Sequence, residues 1–458
     1  MFLFVDQLIA KFLNRFFGRR RGARPERGGA VIGYRVQDGE ATARKVRLSD
    51  TRRTTHLLWV GKTGAGKSFG LRNLCVQDIE ANRGFVFFDL HGEETQFLLR
   101  AINARERRLR EHLHHKIVLI SPADQEMSIG FDPLEAETPD FGRIADLERV
   151  LRWRWHLDHF GPRTAELLRN SLFALSANDL TLIELAPFLT HNGFRSACLK
   201  KVSNADVRQY FELRYDQASE GMRAAMREPV LNKVSEFTGN PTFRHILGQQ
   251  QSSFSVRQAM DEGYWIILDL NKGRLGEQAL TLGSLFFSIL KNALFSRTTR
   301  SLFSWYLDEM QNLAAYDSGI ETVLGESRKF GVSIVGSTQR LDSVPAEMRN
   351  AFLAVGTQVY FQLSPNDAAQ VAQGLDGGRS MAERLKNLPQ RHCIVKSGAD
   401  RWTEVRIPTV HTPQVDLTDF MTRVRYGRGR VRAHIERDIE KRQAALLRKP
   451  AEVLNDWE

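Results

Sequence analysis

Eight residues restrict the folds open to this chain more than any other stretch. Gly61-Lys-Thr-Gly-Ala-Gly-Lys67-Ser68 satisfies GxxxxGK[ST] at every fixed position. The run HLLWV comes before it and LRNLCVQDIEA after it, so the loop joins a strand to a helix. Glycines let such a loop wrap closely, turning backbone N–H groups and the helix N-terminus toward phosphate oxygens. Gly61, Lys62, Thr63, Gly64, Ala65, Gly66, Lys67 and Ser68 therefore form the expected phosphate cradle. Lys67 is placed to reach the β- and γ-phosphates of ATP, and the Ser68 hydroxyl to bind Mg2+.

A loop of this kind belongs at the edge of a parallel sheet, and the surrounding sequence has that rhythm. THLLWVG, GFVFFDL and KIVLISP alternate with helical stretches. From about Glu135 to Gln249 the strand signals stop. There AELLRNSLFALSAN sets Leu168, Leu172 and Leu175 along one helical stripe, and DVRQYFELRYDQASEGMRAAMR continues helically until Pro229. Strands resume with YWIILDL, SLFSWYLDE, VSIVGST and TQVYFQL. The expectation is an α/β fold whose parallel-rich nucleotide-binding domain, residues 47–135 and 250–412, is split by an all-helical inserted domain, residues 136–249. Residues 1–46 read as an amphipathic helix and a basic N-terminal segment, and 413–458 as a basic, exposed tail helix at the periphery.

A phosphate loop also needs an acid on a neighbouring strand. LFSWYLDE supplies Asp308 to hold the Mg2+ shell and Glu309 to orient or deprotonate an attacking water. An adjacent acid of this kind favours hydrolysis over transfer to a small-molecule acceptor. FVFFDLHGEE ends a further strand in Asp89, His91, Glu93 and Glu94, which puts Asp89 and His91 near the nucleotide if that strand is parallel to the first.

Charge narrows the partners. The 65 Lys and Arg against 54 Asp and Glu give a formal +11 over 458 residues, which suits nucleic acid or an acidic membrane surface. Three widely spaced cysteines favour neither a disulfide framework nor a zinc site, and a reducing cytoplasm is the simplest home. In MFLFVDQLIAKFLNRFF, Asp6, Lys11 and Arg15 interrupt the apolar residues at helical spacing, so neither a membrane span nor a signal peptide is expected. Residues 1–24 then have two readings, peripheral contact with an anionic membrane or docking on protein. Lys272 and Arg274 in LNKGRLGEQ are candidate DNA contacts. RWRWHLDHF interleaves Trp153 and Trp155 with Arg152 and Arg154 in a way that suits base stacking, although tryptophans at such spacing more often fill a helical core.

Beyond the loop and its acid, the chain carries FDLHGEE, SSFSVRQAMDEGYWIILDLNKGRLGEQ and RKFGVSIVGSTQ, and 241 positions separate Lys67 from Asp308. Together these motifs resemble the motor ATPases of the HerA and FtsK kind, and within them the coupling proteins of type IV secretion and conjugation, the TraG and TraD type. The resemblance spans roughly Arg47 to Thr412. It implies a RecA-like domain split by a helical one, ATP hydrolysis with Mg2+, and DNA translocation by a head-to-tail ring, a hexamer in that class. It also implies that Gln339 senses the γ-phosphate and that Arg328 reaches a neighbouring subunit's site. A relaxase, a nuclease or a secretion channel is the implied protein partner, and the cytoplasm or the inner face of the membrane the implied location. One departure stands out: such coupling proteins usually begin with two membrane-spanning helices, and this chain offers one amphipathic stretch. Two other readings of the residues remain open, a protein-secretion or assembly ATPase and a nucleotide-switched scaffold.

Overall fold

The computed structural model describes residues 29–136, 139–313 and 320–447. The expected N-terminal amphipathic helix and the last residues of the tail lie outside them. In chain order the strands are β1 Ala30–Gln37, β2 Glu40–Leu48, β3 Leu57–Val60, β4 Gly84–Asp89, β5 Ile117–Ile120, β6 Met127–Ser128 and β7 Trp265–Asp269. They continue with β8 Phe303–Leu307, β9 Val332–Thr338, β10 Thr357–Tyr360, β11 His392–Ser397, β12 Thr403–Arg406 and β13 Arg430–Val431. Eleven of them form one sheet in the order β2-β1-β12-β11-β10-β3-β9-β8-β4-β7-β5.

From β10 to β5 every neighbouring pair is parallel, whereas β11, β12, β1 and β2 add an antiparallel flank. Strands β3, β4, β8 and β9 are buried at every position. That is why they read as continuous apolar runs rather than as alternating ones. One face of the sheet carries helices Lys67–Glu80 and Glu93–Leu109, and the other carries helix Glu277–Phe295 and the helical insertion. Among the described residues, Glu277–Phe295 alone is long and apolar enough to cross a membrane, and its apolar residues are packed into this core.

The helical insertion has the expected character, seven α-helices from Phe141–Arg154 to Pro241–Leu247 with no strand among them. Leu168, Leu172 and Leu175 are fully buried on one stripe. One boundary differs from the sequence reading: helix Glu220–Thr238 runs straight through Pro229. A helix-interior proline costs about 3 kcal/mol, while burying an aliphatic side chain stabilises by about 1.5–3 kcal/mol. Met226, Val230 and Val234, all buried on the flanking turns, outweigh the missing bond. The true break falls earlier, between the π-helical turn Tyr210–Tyr215 and the Ser219 cap.

Two segments assigned to the periphery belong to the body. Residues 30–46, read as part of the basic N-terminal segment, form most of the β1–β2 hairpin. Asp38 and Gly39 turn it at φ of 52° and 83°, the positive values that a two-residue Asp-Gly hairpin turn needs. The C-terminal segment is likewise no exposed tail. Helix Thr418–Arg428 buries Phe420 and Val424 against the sheet side, and Arg425 Nη2 donates to Asp124 at 2.6 Å. Strand β13 then pairs with β6. Helix Arg432–Leu447 packs Ile435 and Ile439 on Ile183 of the insertion, where Arg442 Nε meets the fully buried Glu184 at 3.0 Å. This segment joins the nucleotide-binding sheet to the insertion.

Candidate nucleotide site

The sheet order decides which polar residues meet. Strands β3, β9 and β8 are consecutive and parallel, so whatever follows each of them emerges at one edge. Those residues are the Gly61–Ser68 loop, Gln339, and Asp308 with Glu309.

The loop has the form a phosphate needs. Gly64 and Gly66 sit at φ of 76° and 118°, and helix Lys67–Glu80 starts at Gly66 with no side-chain cap. Among the described residues, the N–H groups of Thr63, Gly64 and Gly66 donate to no backbone carbonyl, leaving them and the helix N-terminus for an anion. Close packing fixes the loop in place. A Cβ on Gly61 would lie 2.6 Å from Phe361 Cβ, and one on Gly70 would lie 1.9 Å from the Trp59 ring. Gln390 Nε2 donates to the Gly64 carbonyl at 3.0 Å and the Arg391 N–H to that of Ala65 at 2.8 Å. Nothing in the sequence marked Gln390 and Arg391, because they belong to no motif and reach the loop only through the β10–β11 connection.

The charged groups face one another across the loop. The Lys67 ammonium donates to the Gly61 carbonyl and to that of Lys62, the latter at 3.1 Å. Burial lowers its pKa, with Asp308 and Glu309 opposing. Burial raises the Asp308 carboxyl, Lys67 draws it down again, and Glu309 pushes it further up. A desolvated carboxylate beside a second acid favours a bound cation. Ser68 is exposed at the mouth of the loop. The residues present thus fit a nucleotide phosphate chain, and Ser68 and Asp308 are the residues that would hold Mg2+.

Glu309, two residues beyond β8, sits in the left-handed region at φ 54°, a conformation that costs a non-glycine residue about 1–2 kcal/mol. Side-chain bonds hold it there. Gln339 Nε2 donates to Glu309 Oε1 at 2.7 Å, and Thr63 Oγ1 donates to Gln339 Oε1 at 2.8 Å. On the other side Asn312 Nδ2 donates to Glu309 Oε2 at 2.9 Å. Gln339 therefore bridges the phosphate loop and the acid through one amide.

The third polar cluster divides. His91 Nε2 lies 3.6 Å from Glu309 Oε1, near the site as expected. Asp89 is buried and already accepts from the N–H groups of His91, Gly92 and Thr95 and from the Thr95 hydroxyl, so it caps helix Glu93–Leu109. Glu94 pairs with Arg72 on the loop helix at 2.8 Å.

Arg328 lies elsewhere. It sits on the turn Ser327–Phe330 that precedes β9, so the length of that strand, roughly 20 Å, separates it from the loop edge of its own subunit. It is exposed and, among the described residues, makes no ion pair, not even with Glu326. His56 holds this turn: its Nε2 lies 3.0 Å from the Leu324 carbonyl and 3.2 Å from Ser327 Oγ, while its Nδ1 accepts from Ile334 N–H at 3.1 Å.

Residues 41–397 match the family model described as the type IV secretion-system coupling protein DNA-binding domain. Among solved structures, the unbound bacterial conjugative coupling protein TrwBΔN70 is 17% identical with a TM-score of 0.62, covering 85% of this chain and 92% of that one. The plasmid coupling protein TrwB in complex with ADP and Mg2+ is 17% identical with a TM-score of 0.61, over 86% and 92% of the two chains. VirB4 of Thermoanaerobacter pseudethanolicus is 14% identical with a TM-score of 0.57, over 84% and 97%. No curated protein sequence matches.

Proposed function

This chain belongs to the family of type IV secretion-system coupling proteins, and on that premise we propose that it is an ATPase that drives DNA in conjugative transfer. The observation that carries this reading is the Gln339 amide, bonded to Thr63 at one end and to Glu309 at the other. A γ-phosphate arriving at the loop competes for the same donors, so nucleotide state and the position of the acid are coupled. In this reading the loop and Lys67 bind the β- and γ-phosphates, Ser68 and Asp308 hold Mg2+, and Glu309 orients the attacking water. Bound Mg2+ supplies charge neutralisation on the phosphate oxygens.

Arg328, exposed and remote from its own loop, acts on the neighbouring subunit's phosphates. Such a contact makes the assembly head-to-tail, and head-to-tail contacts that close form rings. The resemblance to motor ATPases of this kind makes that ring a hexamer around DNA, in the cytoplasm or at the inner face of the membrane, with a relaxase, a nuclease or a secretion channel as the partner delivering or receiving the strand.

ATP turnover measured with and without DNA at low salt tests the reading. DNA raises the rate, and Lys67→Ala or Glu309→Gln abolishes it; equal turnover with and without DNA refutes the motor. A salt series on DNA binding separates DNA from protein as the cargo, since phosphate contacts give a steep slope. Mixing Arg328→Ala with Lys67→Ala subunits restores partial turnover if the site is shared and leaves none if each subunit works alone.

A further inference from the structure

Two stretches that the sequence marked separately as candidate DNA contacts line one cleft. Between the insertion and the nucleotide-binding domain lies a cleft of about 540 Å³ whose walls include Trp153, Arg154, Lys233, Lys272, Gln311 and Asn312. The two tryptophans divide their roles. Trp155 is a core residue at 5% exposure, while Trp153 is half-buried and stands at the cleft wall.

Arg154 occupies an unusual place in this wall. Its Nε donates to Ser284 Oγ at 2.8 Å, an Nη2 hydrogen goes to the Asn312 carbonyl, and its guanidinium lies 4.2 Å from the centre of the Trp153 ring. Among the described residues it makes no ion pair, and the carboxylate whose field reaches it is Glu277 on the same cleft wall. A guanidinium stays protonated at neutral pH, so the cleft holds a largely buried positive charge whose donors go to neutral oxygens alone. Burial presses on that charge and lowers its pKa to about 9. A desolvated cation whose nearest carboxylate, Glu277, is already paired with Lys272 is stabilised further when an anion completes it. Gln311, on the same wall, keeps a buried Oε1 that has no hydrogen-bond donor among the described residues, an acceptor suited to an amino or imino group on a base edge. Lys272 stands at the rim, 3.0 Å from Glu277.

An aromatic ring, a cation stacked on it, a lysine at the rim and an unspent acceptor are the elements that hold an unstacked base with its phosphate. The same wall leads to the catalytic acid. The Asn312 whose carbonyl accepts from Arg154 donates its own side-chain amide to Glu309 Oε2 at 2.9 Å, and its N–H bonds to the Glu309 carbonyl at 2.9 Å. Moving the Arg154 guanidinium toward an incoming phosphate pulls on the turn that holds Glu309 in its left-handed conformation.

We propose that this cleft binds one unstacked base and its phosphate from single-stranded DNA, and that Arg154 transmits its occupancy to Glu309 through Asn312. Arg154 is thereby a positioning residue. The inference rests on the proposed DNA-stimulated ATPase and names the strand form and the site that sense the DNA.

The test uses the full chain with a fluorescent oligo-dT, a duplex of equal length, and thymidine monophosphate as a competitor. Trp153→Ala weakens oligo-dT binding between about five- and a hundredfold, the range for one stacked base, and Trp153→Phe restores most of it. Duplex affinity moves much less. Arg154→Lys keeps a charge but lacks the fork that spans Ser284 and Asn312. It binds oligo-dT within a few-fold of the parent, while its ratio of stimulated to unstimulated turnover falls to near one. Unchanged oligo-dT affinity in Trp153→Ala, or thymidine monophosphate competing as strongly as the oligomer per site, overturns the DNA site. Full stimulation of Arg154→Lys overturns the relay. If the parent protein shows no stimulation by any DNA, the ATPase-motor reading fails instead, and the binding result for Trp153 still decides the cleft.

Discussion

Asp78→Ala should cost the protein about 4 kcal/mol of stability, and the estimate follows from one buried network. Arg53 and Asp78 have fully buried side chains. Two guanidinium nitrogens of Arg53 donate to the two Asp78 oxygens at 2.5 and 2.7 Å, and one also reaches Ser304 Oγ at 2.9 Å and Tyr306 Oη at 3.1 Å. Both hydroxyls in turn donate to Asp78, at 3.2 and 2.7 Å. Truncating the carboxylate removes four donated bonds at once and leaves a guanidinium in the core without an ion-pair partner. Hydrogen bonds to charged groups contribute about 1.5–3 kcal/mol each, and breaking a buried ion pair from one side costs about 3–5 kcal/mol. The surviving Ser304 and Tyr306 contacts keep the loss inside that range rather than at the sum. Arg53 leads into β3, Asp78 is on the loop helix, and Ser304 and Tyr306 are on β8, so the network ties the phosphate loop to the acid strand. Urea unfolding followed by tryptophan fluorescence gives the loss, since Trp59 and Trp305 are fully buried on β3 and β8. The double variant Arg53→Leu/Asp78→Leu should recover most of it, because an apolar pair leaves no stranded charge. A loss under about 1 kcal/mol for Asp78→Ala, or single-variant losses that simply add in the double variant, refutes the assignment.

Gln339→Glu places a second carboxylate where an amide now donates to Glu309 at 2.7 Å; two charges at about 4 Å and an effective dielectric of 20 repel by about 4 kcal/mol, so the acid limb of the kcat/KM profile moves up by a unit or more and Gln339→Glu is slower than Gln339→Ala at neutral pH. Burial lowers the His56 pKa to about 4 from its ordinary 6.5, so its contribution is full above pH 6.5 and falls as acid protonates the unfolded chain first. Unfolding free energy should drop by up to about 3 kcal/mol between pH 6.5 and 4 from this group, and His56→Asn, though less stable at pH 7, should show a flatter profile. Gly70→Val forces a branched side chain into the Trp59 ring, where even a Cβ would lie at 1.9 Å, and thermal unfolding should report a loss of about 1–3 kcal/mol or more.

The phosphate loop, its acid and Gln339 were legible in the sequence because each ends an apolar run, and parallel strands release their functional residues at one edge. The helical insertion was legible because its leucine stripe lacks any two-residue alternation. What escaped was long-range. Arg53 and Asp78 sit 25 positions apart, and their nearest hydroxyl partners come more than 220 positions later, so no local pattern announces them. The hairpin at 30–46 carried its Asp-Gly signal, but its strands are amphipathic and charge-rich, and they followed a basic segment that masked them. Among its described side chains, the C-terminal helix has only Ile435 and Ile439 as fully buried apolar residues on a charged background, too sparse a stripe to separate a strap from a tail. Pro229 misled because a propensity rule met a packed stripe worth more than the penalty.

Strand β9 explains why these parts act together. It lies between β3 and β8, and its Gly336 has no side chain where a Cβ would meet Met310 Sδ at 2.7 Å and Phe352 at 2.6 Å. That gap admits the buried Met310, the residue after Glu309, and so seats the left-handed turn against the strand that ends in Gln339. Glu309 is therefore clamped twice, by Gln339 from the phosphate side and by Asn312 from the side of the insertion. The opposite end of the same strand begins at the turn carrying Arg328, which His56 fixes to the start of β3 and of β9. One fully buried strand thus runs from the edge that carries the phosphate loop to the turn that carries Arg328, and one asparagine leads from Glu309 to the cleft beneath the insertion. Both connections pass through Glu309 or the strand beside it, so in the proposed motor the acid would answer to phosphate, neighbouring subunit and bound strand through nothing larger than a single turn.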